Sequence, residues 1–235
     1  MIEIVSATRK SKNDFWNESP LGLSMKRFIH RDSRLSMYIA YENQHGLPEI
    51  FNERINTQNN SEILLFIHDD VWINDHYFVD RVYEGLNAYD VIGILGNRRR
   101  VRDQPSWLFK SLVDGKLIEK DKKLIREDKE YLSGSAALGT DPFGRVYFFG
   151  TAPAECELLD GIFLATKKST LKENEILFDP KFDFHFYDMD FCRSMRAKGL
   201  RLGTWPICIT HKSTSDFNSH NWYGKFLMYR EKWEM

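Results

Sequence analysis

The stretch Ser61–Trp72, SEILLFIHDDVW, most constrains how this chain can fold. Its apolar residues Ile63–Ile67 run without interruption and then stop at His68, Asp69 and Asp70. A run this short, continuous and rich in branched residues reads as a strand buried on both faces, as in the middle of a parallel sheet. Open α/β sheets bind ligands just beyond the carboxyl ends of such strands. Two adjacent carboxylates there repel each other and are costly to desolvate unless something positive sits beside them. A divalent metal ion would meet that need. The same residues also fit a plain strand end in which Asp70 caps the next turn.

The flanking sequence keeps an α/β rhythm. Ile2–Val5 reads as a first strand whose exit loop carries Ser6, Thr8 and Arg9. Ser36–Tyr41 reads as a second strand, followed by a turn through Glu42, Asn43 and Gly46. A helix is expected over Leu47–Ile55, with Pro48 in its first turn. Asp75–Leu86 places Phe78, Val79, Val82 and Leu86 on one helical face, and Val91–Leu95 follows as a strand. Strand–helix–strand alternation of this kind predicts an α/β fold with a mostly parallel central sheet flanked by helices.

Residues 97–144 break the rhythm and are expected as a long inserted loop region. Arg98, Arg99, Arg100 and Arg102 at its start suit either a solvated loop or an anion clamp. Strands are expected at Arg145–Phe149 and Glu157–Thr166, the second interrupted at Asp160-Gly161. A glycine there marks a bulge or a close approach by another group. The acidic cluster DPKFDFHFYDMD at 179–190 leads into a helix over Met189–Lys198, with Gly199 as its stop. Leu200–Thr210 then reads as a strand ending at His211. A C-terminal amphipathic helix is expected over Phe217–Trp233, with Trp222, Phe226, Tyr229 and Trp233 as one aromatic stripe. Such a stripe is core or interface packing, which makes this helix the candidate contact for a homo-oligomer.

Over 235 residues the formal charge is −1, which gives no reason to expect a nucleic-acid partner. The three cysteines, Cys156, Cys192 and Cys208, lie far apart without metal-type spacing and are read as reduced thiols. MIEIVSATRK has no signal-peptide pattern, and no apolar run reaches the ~20 residues of a transmembrane segment. The expected location is the cytoplasm, either free or peripheral to the inner face of the membrane.

Several short motifs, in this order, resemble the family 2 glycosyltransferases of GT-A fold, in particular a bacterial branch linked to capsule and antibiotic sugars. Gly46–Ile55 looks like the helix before the metal-binding strand. Phe66-Ile67-His68-Asp69-Asp70-Val71 looks like the aspartate-x-aspartate turn. Asp160-Gly161-Ile162-Phe163-Leu164 resembles the acceptor-side strand. Phe186-Tyr187-Asp188-Met189-Asp190-Phe191, followed by Arg193, Gly199 and Leu200, resembles the acidic motif that carries the catalytic base. The chain departs from that pattern twice. His68 stands at the first position of the acidic triplet, and Tyr187 precedes Asp188 where glutamate is frequent.

The resemblance implies one GT-A-like domain over 1–235, with a nucleotide-binding half at about 1–96 and an acceptor half at about 97–235. It implies an inverting transfer of a sugar from a nucleoside-diphosphate sugar to a hydroxyl of a carbohydrate or other acceptor, in bacterial surface polysaccharide or glycoconjugate synthesis. Asp70 is then the direct metal ligand, joined by His211, with Mn²⁺ or Mg²⁺ as the ion. Ser6, Thr8, Arg9, Glu42 and Asp69 are the candidate nucleotide contacts. Asp188 is the general base, its pKa lifted by burial and by neighbours such as Asp183 and Asp190. Plainer readings stand beside these: Asp188 as a helix N-cap, His211 as a hydrogen-bonded strand-end histidine, and His68 as packing. Two other functions remain in view: a metal phosphohydrolase using His68-Asp69, and a non-catalytic nucleotide-sugar-binding module.

Overall fold

The computed structural model describes residues 1–112, 124–212 and 219–233. The charged stretch at 113–123 and the expected helix start at Phe217 lie outside the described residues. The chain runs β1 (Ile2–Ala7), α1 (Lys12–Glu18), α2 (Pro20–Met25), β2 (Leu35–Ala40), α3 (Leu47–Asn56), β3 (Ile63–Ile67), β4 (Val71–Ile73), α4 (Phe78–Ala88), β5 (Val91–Gly93) and β6 (Leu95–Asn97). It continues through β7 (Phe109–Leu112), β8 (Leu124–Arg126), a 3₁₀ turn, β9 (Leu132–Leu138), β10 (Arg145–Gly150), β11 (Ala154–Cys156), β12 (Leu158–Leu159) and β13 (Phe163–Lys167). α5 (Lys168–Glu173), α6 (Tyr187–Ala197), β14 (Leu202–Thr204), β15 (Ile209–His211) and α7 (His220–Trp233) complete it.

The α/β class holds, with helices against a central sheet: α3 packs on β1, α4 on β5 and β13, and α6 on β14 and on the neighbouring β12 of a second sheet. The central sheet has seven strands in the order β11-β14-β5-β13-β3-β1-β2. It is mixed rather than mostly parallel. β3, β1 and β2 run parallel, but β13 enters antiparallel between β3 and β5. β13 comes from the second half of the chain, so no local pattern near β3 could announce it.

A second sheet, β12-β6-β9-β15-β4 with β10 beside β9, explains two strands that were expected to be continuous. Val91–Leu95 splits at Ile94 into β5 of the first sheet and β6 of the second. Leu200–Thr210 splits into β14 and β15 in the same way. The chain thus crosses between sheets, and the expected loop region at 97–144 supplies β9 to the second sheet and a separate β7–β8 pair.

An aromatic cluster ties the sheet to the acidic cluster. Phe66 of β3 meets Phe51 of α3 at 4.6 Å and Phe178 at 5.1 Å, and Phe178 stacks on Phe191 of α6 at 4.3 Å. All four rings are buried. Truncating one such ring to alanine typically costs about 3–5 kcal/mol. Its consequence here is positional: the first turn of α6 is held against the carboxyl end of β3.

The aromatic stripe of α7 is spent inside its own chain. Trp222, Phe226 and Tyr229 are buried and surround Phe186 at ring distances of 5.3–5.8 Å. Phe186 has a φ of 67°, a left-handed conformation that costs a bulky residue about 1–3 kcal/mol. Its packing under α7 offsets that strain and aims the following residues, Tyr187 and Asp188. The stripe is therefore not an outward face for oligomer contact. Among the described residues no helix is long and apolar enough to cross a membrane.

Candidate active site

The turn after β3 is tied down at three backbone points. His68 N–H donates to Ile162 O at 3.2 Å, Leu21 N–H donates to Asp69 O at 3.1 Å, and Lys212 N–H donates to Asp70 O at 2.9 Å. Neighbouring side chains then leave in different directions. Asp70 lines a cavity of about 260 Å³ together with His68, Asp160, Asp188 and His211. Asp69 lines a more polar cavity of about 660 Å³ with Thr8, Arg9 and Lys10. Phe184 and His185 line both and stand between them.

His211 reaches Asp70 because β15 pairs with β4, with His211 opposite Val71. His211 Nε2 lies 3.3 Å from Asp70 Oδ1, and His68 Nδ1 lies 4.0 Å from the same oxygen. These three ligand atoms all lie within 4.8 Å of one another. Among the described residues, the buried Asp70 Oδ1 and His211 Nε2 make no well-formed hydrogen bond, their own 3.3 Å contact being the nearest approach to one. Burial works to raise the Asp70 pKa, but His211 and His68 outweigh it and hold the carboxyl below its usual range. Burial likewise opposes the charged form of His211, and Asp70 overcomes it, so that imidazole is shifted upward. His68, more deeply desolvated, is shifted downward. A carboxylate and two imidazoles with orphaned inward atoms fit a divalent transition-metal ion.

Asp188 stands in the first turn of α6 and is not its N-cap, a position held by Phe186. Asp188 Oδ2 accepts from Gly161 N–H at 3.0 Å and Oδ1 from Met189 N–H at 2.8 Å. Those bonds favour the carboxylate, but burial and then the Asp160 charge prevail and push the pKa up to about 7. The expected neighbours do not do this. Asp190 faces Lys232 at 2.8 Å and Trp233 Nε1 at 2.7 Å, while Asp183 pairs with Lys225 at 3.1 Å. The neighbour that matters is Asp160, expected from the sequence at a strand break and in the motif resembling the acceptor-side strand, but not as a group acting on Asp188. Its oxygens accept from Trp107 Nε1 at 2.5 Å and Ile162 N–H at 2.9 Å. That fixes the indole of Trp107 as a cavity wall.

The polar cavity holds part of the expected nucleotide set. Thr8 Oγ1 donates to Asp69 Oδ2 at 2.5 Å, and burial raises the Asp69 pKa. Arg9 donates to Gln44 Oε1 at 3.0 Å, at the same cavity. Ser6 and Glu42 do not line it. Ser6 is fully buried at the end of β1, and Glu42 turns the chain with a φ of 50°. Asn43, Gln44 and His45 take the wall instead, because the left-handed turn at Glu42 swings the next residues inward. Of the arginine run, Arg99 is engaged structurally, 2.7 Å from the buried Glu127 carboxylate and over the Tyr131 ring.

The two positions that depart from the resembled motifs meet each other: His68 Nε2 lies 2.8 Å from Tyr187 Oη. Gly161 makes room for this. A Cβ there would come within 2.2 Å of Tyr187 Oη, which accounts for the glycine at the strand break.

Fold and site together define an α/β protein with two neighbouring cavities, the first of which holds a metal-type cluster and the buried Asp188 carboxylate. The Glycosyltransferase like family matches residues 38–230, and the chain belongs to that family. No curated protein matches it. Among solved structures, GalNAc-T7 with UDP, GalNAc and Mn²⁺ is similar at 9% identity and a TM-score of 0.49, over 92% of this chain and 44% of that one. S. aureus TarS 1-349 in complex with UDP is similar at 14% identity and a TM-score of 0.45, over 96% and 63%. The catalytic domain of Drosophila beta1,4galactosyltransferase 7 in complex with xylobiose follows at 11% and 0.45, over 86% and 63%. The chain thus spans less than two thirds of each of these three proteins.

Proposed function

We propose that this protein is an inverting glycosyltransferase that moves a sugar from a nucleoside-diphosphate sugar to a hydroxyl acceptor. One observation carries the reading: Asp70 and Asp188, far apart in sequence, line the same cavity, and Asp69 opens onto the adjoining polar one. In this reading the nucleotide lies in the polar cavity, over Thr8, Arg9 and Asp69. Arg9 and Lys10 bring positive charge to the diphosphate. Asp70 and His211 would hold a divalent ion, which supplies Lewis-acid stabilisation of the charge on the departing diphosphate.

Asp188 acts as the general base. It takes the proton of the acceptor hydroxyl as that oxygen bonds to the anomeric carbon and the sugar–phosphate bond breaks on the opposite face. A pKa near 7 suits that task, because about half of the group is ionised at neutral pH and that carboxylate is basic enough to accept a proton. The apolar walls, Trp107, Phe149 and Trp222 among them, exclude water from the reacting centre and offer flat faces for a sugar ring. A role in bacterial surface polysaccharide or glycoconjugate synthesis is part of the same proposal.

The phosphohydrolase reading is less well supported. It needs His68 and Asp69 to share one metal, but Asp69 bonds Thr8 and lines the other cavity. The proposal is tested by thermal unfolding against UDP, GDP, CDP and dTDP and their common sugar conjugates, with and without Mn²⁺. One nucleotide class should stabilise the protein, and more so with Mn²⁺. Shifts indifferent to Mn²⁺, with no turnover of any conjugate, would replace the enzyme by a binding module.

A further inference from the structure

The Tyr187 hydroxyl has one proton, and it donates that proton to Gly161 O at 2.8 Å, a group that can only accept. The short contact between His68 Nε2 and Tyr187 Oη must therefore run the other way, with Nε2–H as donor. In the neutral ring this leaves the lone pair on Nδ1. Among the described residues no hydrogen bond reaches Nδ1, and it faces Asp70 Oδ1 at 4.0 Å. Among the described residues, the Asp70 oxygen and His211 Nε2 are the two buried atoms in the cluster that make no well-formed hydrogen bond. Three unclaimed donor atoms thus converge from three elements: the end of β3, the turn into β4, and β15.

We propose that His68 is a third metal ligand, binding through Nδ1, and that Tyr187, itself held by Gly161, is the positioning residue that fixes the required tautomer. This rests on the reading of Asp70 and His211 as metal ligands and deepens it. A second hydrogen-bonded shell of this kind orients a ligating imidazole and raises its basicity. The two-imidazole, one-carboxylate set selects Mn²⁺ and neighbouring transition ions over Mg²⁺, which prefers oxygen ligands and retains its waters. Gly161 also links the metal site to the base. Its carbonyl accepts from Tyr187 and its N–H donates to Asp188 Oδ2, so the backbone of one residue contacts both side chains.

The test titrates the full chain with MnCl₂ and with MgCl₂, without nucleotide, and counts directly bound ¹⁴N by pulsed EPR of the Mn²⁺ complex. Wild type should bind Mn²⁺ more tightly than Mg²⁺ and show two bound nitrogens. His68→Ala should lose about 10- to 100-fold in Mn²⁺ affinity, lose one nitrogen, and change little towards Mg²⁺. Tyr187→Phe should keep both nitrogens while losing about 10-fold in Mn²⁺ affinity. Unchanged Mn²⁺ affinity in His68→Ala would overturn the assignment and leave Asp70 and His211 as ligands. A wild type without Mn²⁺ affinity would remove the metal reading as a whole. If His68→Ala fails to fold, the wild-type spectrum decides alone: two nitrogens support the proposal and one refutes it.

Discussion

Asp69 and Asp70 are neighbours in the chain and opposites in the fold. Asp69 opens onto the polar cavity, accepts a short hydrogen bond from Thr8, and is shifted upward by burial. Asp70 opens onto the less polar cavity, faces two imidazoles, and is held below the usual carboxylate range despite its burial. One backbone turn, pinned at His68, Asp69 and Asp70, therefore divides two like charges between two cavities. The lesson is that an acidic pair at a strand end need not be one site. Its members are told apart by what the rest of the chain brings to each.

Substitutions at the two positions should separate cleanly. Asp70→Asn removes the only carboxylate of the metal cluster. It should lower kcat/KM by about 10³-fold or more and abolish Mn²⁺ binding in a direct titration. Asp69→Asn should instead act on the nucleotide, raising the donor KM by about 10-fold through loss of a charge-assisted contact, with kcat and Mn²⁺ affinity largely kept. If the two variants behave alike, the division of labour is wrong.

A smaller effect concerns pH. As the proposed general base, Asp188 must be ionised to accept a proton, and its pKa is pushed up to about 7. Activity should therefore rise through about pH 7 and fall away on the acid side. Asp160 raises that pKa by like charge, so Asp160→Asn should move the rising limb to lower pH, by roughly half a unit to one unit. A limb that stays in place would show that Asp160 does not act on the titrating group.

Much of this was legible in the sequence because it is carried by local pattern. The buried run at Ile63–Ile67, the helix at Leu47–Asn56 and the helix after the second acidic cluster each announce themselves within a few residues. The break at Asp160-Gly161 was also visible as a place where another group comes close, and that group is the Tyr187 hydroxyl. What the pattern could not carry was anything made by distant pairing. β13 lies antiparallel beside β3, and the strands at 91–95 and 200–210 each cross between sheets. Asp160 matters because of where Asp188 lands, and His68 because of Tyr187. Ser6 and Glu42 were placed by strand order alone, and one fully buried side chain and one left-handed turn remove them from the cavity wall.

The central claim is that leaving group and incoming oxygen are served by different carboxylates of one cavity. It is tested most directly on Asp188→Asn, by measuring Mn²⁺-dependent binding of the stabilising nucleoside diphosphate and sugar transfer on the same preparation. The account predicts binding within about 2-fold of wild type and transfer reduced by about 10²- to 10⁴-fold. Transfer at the wild-type rate would contradict it.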